Sequence, residues 1–225
     1  MEQLPSSMQM CFLALFNSVN ELAYDILKEQ DINILPFLRK SWIELLKTYL
    51  VDAKWYYEAD KYTPSFKEFL DHGWVSIGGP LVIKLFYICT MNPIRKDDLE
   101  LLEQNPPLIQ WPSLIGRLAD DLGTSPDEMK RGDAPKSIQC YMTETKQSEE
   151  NARDYMNELI GQTWKKMNKE VLMDNTTSFS KDFVRIAMNF ARGAQCMYQY
   201  GDWYGKPDGE TKRRILSVLF ESIPL

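Results

Sequence analysis

Three oxygen-bearing side chains recur at four-residue intervals near the middle of the sequence. Asp120, Thr124 and Glu128 stand at positions i, i+4 and i+8, a spacing that places them on one face of an α-helix. Two carboxylates and a hydroxyl are hard oxygen ligands, which suit Mg²⁺ together with water and phosphate oxygens. Arg117 lies one turn before Asp120, and Lys136 lies beyond Glu128. The pattern predicts a site for a metal ion and a phosphate, although a solvated acidic helix face often has the same spacing.

The residues around this motif predict that its helix does not run straight through. Gly123 can end a helix, and Ser125-Pro126-Asp127-Glu128 is typical of a new start, with Ser at the N-cap and Pro at the first helical position. A proline inside an unbroken helix costs about 3 kcal/mol. We therefore expect the helix to end or kink between Gly123 and Ser125.

The composition excludes several classes of protein. The 225 residues are enough to bury one sizeable core, and the 44% apolar and 12% aromatic content indicates a globular protein. The formal net charge is −6 and no block is rich in lysine and arginine, so we expect no nucleic-acid partner. The sequence has no run of about 18 apolar residues, so we expect no membrane span. Its first residues lack the composition of a targeting segment.

The cysteines and the single histidine do not suggest a metal site. Cys11, Cys89, Cys140 and Cys196 are far apart and form no CxxC pair. We expect them to be small buried side chains in a reducing compartment, not zinc ligands. His72 has no cysteine or histidine near it in the sequence, and we interpret it as an ordinary helix residue.

Apolar residues recur at helical spacing along almost the whole sequence, and cap residues mark several helix starts. We expect helices over about residues 6–30, 36–58, 64–75, 148–173, 180–197 and 210–224, and a helix carrying the acidic motif that begins near residue 108. Polar stretches at 174–178 and 200–209 are typical of loops. Because no convincing strand pattern, repeat or linker interrupts this series, the sequence predicts one all-α domain.

The segment Gly78-Gly79-Pro80 separates the third of these helices from an apolar stretch at residues 81–89. Two glycines and a proline are costly inside a helix and normally break or kink it. One interpretation is a plain turn. The other is a kink that lets the backbone approach a bound ligand, and the residues themselves favour neither.

Longer strings of residues resemble one family of enzymes. The string Arg117–Ser125 is followed by Glu128, then by Arg131-Gly132-Asp133 and by Ile138–Met142. Together they resemble the plant terpene synthases, most of all the monoterpene synthases of flowering plants. The resemblance extends over essentially the whole chain and includes Cys11–Asn17, Ala53–Tyr57 and Tyr62-Thr63-Pro64.

This resemblance implies a class I terpenoid-synthase fold, an all-α helical bundle around an apolar pocket. It implies Mg²⁺ as cofactor, which Mn²⁺ can replace because both ions take oxygen ligands. The implied substrate is a prenyl diphosphate, and geranyl diphosphate is expected. Metal ions and cationic side chains would stabilise the diphosphate as it leaves. The allylic carbocation would then cyclise or rearrange to a terpene inside apolar and aromatic walls that exclude water.

The resemblance also assigns roles to individual residues. Asp120, Thr124 and Glu128 match the family's second metal-binding motif, and Arg117 and Lys136 match cations that bind the diphosphate. Three further residues fall at the kinked helix beside the pocket, and three fall in or near the loop that closes over the site. These are Trp74, Gly78 and Gly79 at the pocket, and Tyr198, Asp202 and Tyr204 as catalytic residues near the loop.

The sequence departs from the family pattern in two ways. Trp203 stands where a glycine is common, which argues against ready closure of the loop. The family's DDxxD and Arg-x-Arg motifs do not occur, since Asp97-Asp98-Leu99-Glu100-Leu101 lacks the final aspartate. We therefore expect residues 1–225 to be the carboxyl-terminal part of the metal-binding catalytic domain. The bundle would be incomplete at its amino-terminal side, and the amino-terminal helical domain would be absent.

Two hypotheses about function follow. The first is a magnesium-dependent terpene synthase, placed in the plastid by the resemblance although no transit peptide is seen in the chain, and otherwise in the cytoplasm. The second is a catalytically inactive helical remnant that binds at most a metal ion or a partner. In both cases we expect uncovered pocket-lining residues near 74–85 and 183–198, because the helices that would face them are not in the sequence.

Overall fold

The computed structural model of the chain describes residues 4–58, 62–173, 179–202 and 209–221. Within these residues every regular element is an α-helix. The helices are α1 (Ser6–Gln30), α2 (Leu35–Tyr57), α3 (Phe66–Ser76), α4 (Gly79–Thr90), α5 (Lys96–Glu103), α6 (Pro107–Arg131), α7 (Ser137–Thr145), α8 (Glu149–Met173), α9 (Lys181–Tyr198) and α10 (Gly209–Leu219). The all-α class predicted from the sequence is confirmed.

Helix α6 lies at the centre of the bundle and packs against α3, α4, α7, α8 and α9. Its first half enters a core cluster shared with α2, α4 and α9, whose buried members include Leu38, Tyr87, Ile109 and Phe183. Its middle enters a second cluster shared with α3, α7, α8 and α9, which includes Phe69, Leu118, Ile138, Met156 and Ala191. Burying each such large side chain contributes roughly 1.5–3 kcal/mol. The two clusters therefore hold α6 in the bundle from Leu108 to Leu122.

Most helices form close to their predicted bounds. α1 and α8 cover the predicted spans, and Ser180 is the N-cap of α9, where its hydroxyl accepts a hydrogen bond from the Phe183 N–H. The sequence pattern does not anticipate α5 and α7, because eight or nine residues give too few turns for a clear period. The expected loop at 174–178, and residues 203–208 of the later loop, lie outside the described residues.

Helix α6 runs without a break from Pro107 to Arg131, so the helix end predicted between Gly123 and Ser125 is wrong. Gly123 lies where α9 approaches, and a Cβ added to it would come within 3.0 Å of the Tyr198 side chain. Ser125 is fully buried, and its hydroxyl accepts a hydrogen bond from Gln139 of α7 instead of capping a new helix. Tertiary contacts thus override the local signals for a helix stop.

The expected break at Gly78-Gly79-Pro80 is present and separates α3 from α4. Gly78 has φ +82°, in the left-handed region that glycine adopts at little cost. Gly79 meets α6 so closely that a Cβ would lie 2.5 Å from Ser113 Oγ. The break therefore brings α4 against the helix that carries the acidic motif, and the close backbone approach at Gly79 is to a helix.

The stretch Phe66–Thr90, which spans α3 and α4, is long and apolar enough to meet a length and composition criterion for a membrane-crossing helix. This differs from the expectation that no segment would qualify. Half of its most apolar window is buried inside the bundle, and Gly78 interrupts it. Burial and interruption are features of core helices, so we interpret the stretch as part of the bundle core.

The cysteines differ from the expectation that all four are buried. Cys140 is buried, whereas Cys11, Cys89 and Cys196 are exposed, and all four are free. The exposed ones lie on faces of α1, α4 and α9 that no other described element covers fully; beside Cys11, for example, the Phe12 ring is 48% exposed.

His72 ties α3 to α2. Its Nε2 lies 2.7 Å from Asp52 Oδ1, and its ring meets Trp55 edge-on with centroids 4.6 Å apart. These contacts fit the interpretation of His72 as an ordinary helix residue with a structural role.

Candidate metal and diphosphate site

Because α6 is continuous, Asp120, Thr124 and Glu128 lie on one face of it, in three consecutive turns. Thr124 Oγ1 lies 2.9 Å from the carbonyl oxygen of Asp120 and 3.0 Å from Glu128 Oε2. A hydroxyl has one proton and two lone pairs. It can therefore direct the proton to the backbone carbonyl and keep a lone pair for a cation between the carboxylates.

Asp120 and its neighbour Asp121 have different surroundings. The Arg117 guanidinium donates to both carboxylates. Asp121 is fully buried, and its second oxygen accepts a hydrogen bond of 3.1 Å from the N–H of Ser137, the first residue of α7. Asp120 is the more accessible of the two. Asp121 therefore holds α7 and Arg117 in place, while the Asp120 carboxylate remains partly accessible to solvent.

Helix α7 holds Lys136 opposite Glu128. The Lys136 N–H donates to Gln139 Oε1 at 3.0 Å, and Gln139 Nε2 donates to Ser125 Oγ of α6, also at 3.0 Å. Lys136 Nζ then lies 3.9 Å from Glu128 Oε1. The sequence pattern does not indicate the supporting roles of Asp121 and Gln139, because a residue that only supports another leaves no spacing signal of its own.

The charges of the motif are only partly compensated. Burial raises the pKa of the Asp120 carboxyl, although Arg117 acts in the opposite direction. Burial likewise raises the pKa of the Glu128 carboxyl, against the effect of Lys136. For Arg117, burial alone would lower the pKa, but Asp121 and Asp120 outweigh it and raise the pKa, so the guanidinium stays charged. Carboxylates whose charge is disfavoured by burial are stabilised by a bound cation.

An open apolar cavity of about 600 Å³ lies between α4, α6 and α9. Gly116 of α6, one turn before Asp120, and Tyr198 both form part of its wall. The Tyr198 hydroxyl also donates a hydrogen bond to the Asp120 carboxylate. Other wall residues are Ile77, Val82, Phe86, Ile186, Phe190 and Met197. One tyrosine thus belongs both to the apolar wall and to the acidic motif.

The remaining candidate residues lie at different distances from this site. Gly78 and Gly79 form the α3–α4 break next to Ile77 of the cavity wall. Trp74 is half-buried on α3 and is not one of the residues that line the cavity. Asp202 is half-buried just beyond α9, whereas Trp203 and Tyr204 lie outside the described residues.

The motif supplies two carboxylates and one hydroxyl. Across residues 4–58, 62–173, 179–202 and 209–221, no three acidic, histidine or cysteine side chains group closely enough to hold a metal ion. A metal ion at this motif would therefore need Thr124 as its third protein donor.

Comparisons with known proteins indicate the family of this chain. A family model described as the metal binding domain of the terpene synthase family matches residues 1–166. The chloroplastic myrcene synthase of Quercus ilex is 53% identical over 225 residues, which is 100% of this chain and 37% of that protein. The chain thus spans less than half the length of this relative.

Solved structures have the same arrangement of helices. A crystal structure of a limonene synthase with 2-fluorolinalyl diphosphate matches with a TM-score of 0.94 at 40% identity, over 99% of this chain and 40% of that one. The isoprene synthase of grey poplar leaves (Populus x canescens), in complex with three Mg²⁺ ions and dimethylallyl-S-thiolodiphosphate, matches with a TM-score of 0.89 at 42% identity, over 99% of this chain and 42% of that one. These matches confirm the class I terpenoid-synthase fold. The family model, which matches residues 1–166, shows that this chain belongs to the terpene synthase family.

Proposed function

We propose that this chain is part of a magnesium-dependent terpene synthase that ionises a prenyl diphosphate, with geranyl diphosphate as substrate. The observation that carries the proposal is the position of Tyr198, which lines the apolar cavity and donates to Asp120. A prenyl diphosphate has an apolar chain joined to an anionic head. The cavity suits the chain, and the acidic motif with its neighbouring cations suits a metal-bound head.

The donor set fits Mg²⁺. Asp120, Thr124 and Glu128 offer hard oxygen atoms on one helix face, and burial raises the pKa of both carboxyls in the absence of a cation. When bound there, Mg²⁺ would supply Lewis-acid stabilisation of the leaving diphosphate, and Mn²⁺ could take its place. The isoprene synthase structure with three Mg²⁺ ions and a diphosphate analogue supports this assignment.

The cationic side chains would stabilise the leaving group directly. The bond between the allylic carbon and the diphosphate oxygen breaks with its electron pair going to the oxygen, so negative charge grows on the diphosphate. Lys136 is partly exposed beside Glu128. The Nε of Arg117 is buried without a partner among the described residues, which leaves a donor for an anion. Fixed positive charge at this place lowers the barrier to ionisation.

The apolar wall would control the carbocation. Phe86, Phe190 and Tyr198 present aromatic rings to the cavity, and ring faces stabilise a cation while apolar walls exclude water. Tyr198 and Asp202 lie at the end of α9, and together with Tyr204 we assign them to closure of the site. Gly78 and Gly79 would shape the cavity from the α3–α4 break, whereas Trp74 lies earlier on α3 and does not line the cavity.

We infer that residues 1–225 form the carboxyl-terminal part of the catalytic domain, supported by the family model over residues 1–166. A plastid location is supported by the relative from Quercus ilex, which is named as chloroplastic. An inactive helical remnant is the alternative function.

A chimera tests whether residues 1–225 can complete a working synthase once the rest of the catalytic domain is supplied. Residues 1–225 replace the matching segment of the Quercus ilex myrcene synthase, to which they align over their full length. Purified chimera is incubated with Mg²⁺ and dimethylallyl, geranyl or farnesyl diphosphate, and the volatiles are analysed by gas chromatography. We expect terpenes from geranyl diphosphate, and none from the same chimera carrying Asp120→Ala and Glu128→Ala. A folded chimera that forms no terpene from any substrate would support the inactive remnant.

A further inference from the structure

Helix α8 donates a hydrogen bond to the backbone of the motif helix. Arg153 Nη1 lies 3.0 Å from the carbonyl oxygen of Leu122. The same guanidinium donates through Nε to Glu149 Oε1 at 2.8 Å, one turn earlier on α8. The Arg153 side chain is only 27% exposed, so the contact is partly shielded from water. It reaches α6 in the turn between Asp120 and Thr124.

The Leu122 carbonyl needs a donor from outside its own helix. In an α-helix the carbonyl of residue i accepts from the N–H of residue i+4. For Leu122 that residue is Pro126, which has no N–H. An internal proline normally kinks a helix at such a place. Helix α6 nevertheless continues to Arg131, and Arg153 supplies the missing donor.

We propose that Arg153 is a positioning residue for the metal motif, a role that rests on the proposed function. Asp120 lies before Pro126, where the backbone hydrogen bond is missing, and Glu128 lies after it. The two carboxylates share one face only if α6 stays regular between them. Arg153 keeps α6 regular by replacing the backbone hydrogen bond that Pro126 removes.

A simpler role for Arg153 would be the ion pair with Glu149 within α8, which needs no contact with α6. A double-mutant cycle with Pro126→Ala separates the two roles, because alanine restores the N–H that the Leu122 carbonyl lacks. Arg153→Met removes the donors and keeps an unbranched side chain of similar reach. Glu149→Gln removes the ion pair, leaves the donor in place and is the matched control.

The cycle is measured on the 225-residue chain with two readouts. In Mn²⁺ titrations followed by electron paramagnetic resonance, Arg153→Met should weaken binding about tenfold. Glu149→Gln, and Arg153→Met in the Pro126→Ala background, should each change it less than about twofold. Amide hydrogen exchange of residues 119–131 without metal should be faster in Arg153→Met and close to the Pro126→Ala rate in the double variant.

An equal effect of Arg153→Met in both backgrounds would overturn the proposal, and so would unchanged hydrogen exchange in Arg153→Met alone. If Arg153→Met does not fold, the double variant decides, since it should fold and exchange like Pro126→Ala. If the unsubstituted chain binds no Mn²⁺, the metal site of the proposed function fails. The hydrogen-exchange cycle still determines the role of Arg153 in that case.

Discussion

Two adjacent aspartates of α6 contact the same arginine, yet we expect them to have different roles. In the chimera, Asp120→Ala should lower kcat/KM about 100-fold, or ~3 kcal/mol of transition-state stabilisation, because it removes a metal ligand. Asp121→Ala should instead lower the free energy of unfolding by about 3 kcal/mol, since it leaves Arg117 without its buried partner and the Ser137 N–H without an acceptor. Steady-state kinetics and urea denaturation measure the two effects. A stable Asp121→Ala variant with the larger catalytic defect would reverse our assignment.

The raised pKa values of Asp120 and Glu128 predict how metal binding depends on pH. A divalent ion binds the carboxylates and competes with protons, so affinity should fall as the pH drops through these pKa values, at a higher pH than for ordinary carboxyls. The contribution of these two groups to folding stability without metal changes in the opposite direction. A carboxyl whose pKa is raised in the folded state binds its proton more tightly there than in the unfolded chain. The two groups therefore increase the free energy of unfolding as the pH falls. Mn²⁺ affinity measured between about pH 4 and 7 tests this. In Glu128→Gln the pH dependence should weaken, and an unchanged profile would exclude Glu128 as a ligand.

At the scale of elements, the site depends on how closely α4 and α9 approach α6. Gly79→Ala would place a Cβ 2.5 Å from Ser113 Oγ and 3.0 Å from its Cα, so α4 must move away. We expect a loss of about 1–3 kcal/mol in unfolding free energy and a wider cavity. The control is Gly161→Ala in α8, where a Cβ meets nothing within 4 Å and should gain up to ~1 kcal/mol from helix propensity. Equal stability of the two variants in urea denaturation would show that the approach at Gly79 is not tight.

The helices also show how far local sequence signals could predict the structure. The four-residue spacing of Asp120, Thr124 and Glu128 correctly indicates one helix face. The break predicted within this motif does not occur, because the donor that compensates for Pro126 comes from Arg153, 31 residues away from the carbonyl it serves. The buried Asp121 carboxylate accepts a hydrogen bond from the first residue of α7. This role could not be predicted, because α7 is too short to give a clear sequence pattern. Local signals thus indicate the face of α6 that carries the acidic motif. Contacts with residues distant in the sequence determine whether α6 is continuous and which side chains support the motif.

At the scale of the whole molecule, apolar side chains remain uncovered. Val82 and Phe86 are exposed at the cavity, near one of the expected places. A larger uncovered face lies on α1 and α2, where Met10, Phe16 and Leu50 are each more than half exposed. We expect the chain alone to associate and to bind a hydrophobic dye. Light scattering coupled to size-exclusion chromatography measures the association, and dye fluorescence measures the exposed apolar surface. Phe12→Glu with Phe16→Glu should reduce both effects. A monodisperse monomer that binds no dye would show that these faces do not drive association.

The central claim is that one face of α6 binds a metal ion together with diphosphate. Its most direct test is a Mn²⁺ titration of the 225-residue chain by electron paramagnetic resonance, with and without inorganic diphosphate. We predict binding that tightens with diphosphate, is lost in Asp120→Ala/Glu128→Ala, and persists in Asp127→Ala, an acidic residue of the same helix outside the motif. Failure to bind Mn²⁺, or binding that survives the double substitution, would contradict the account.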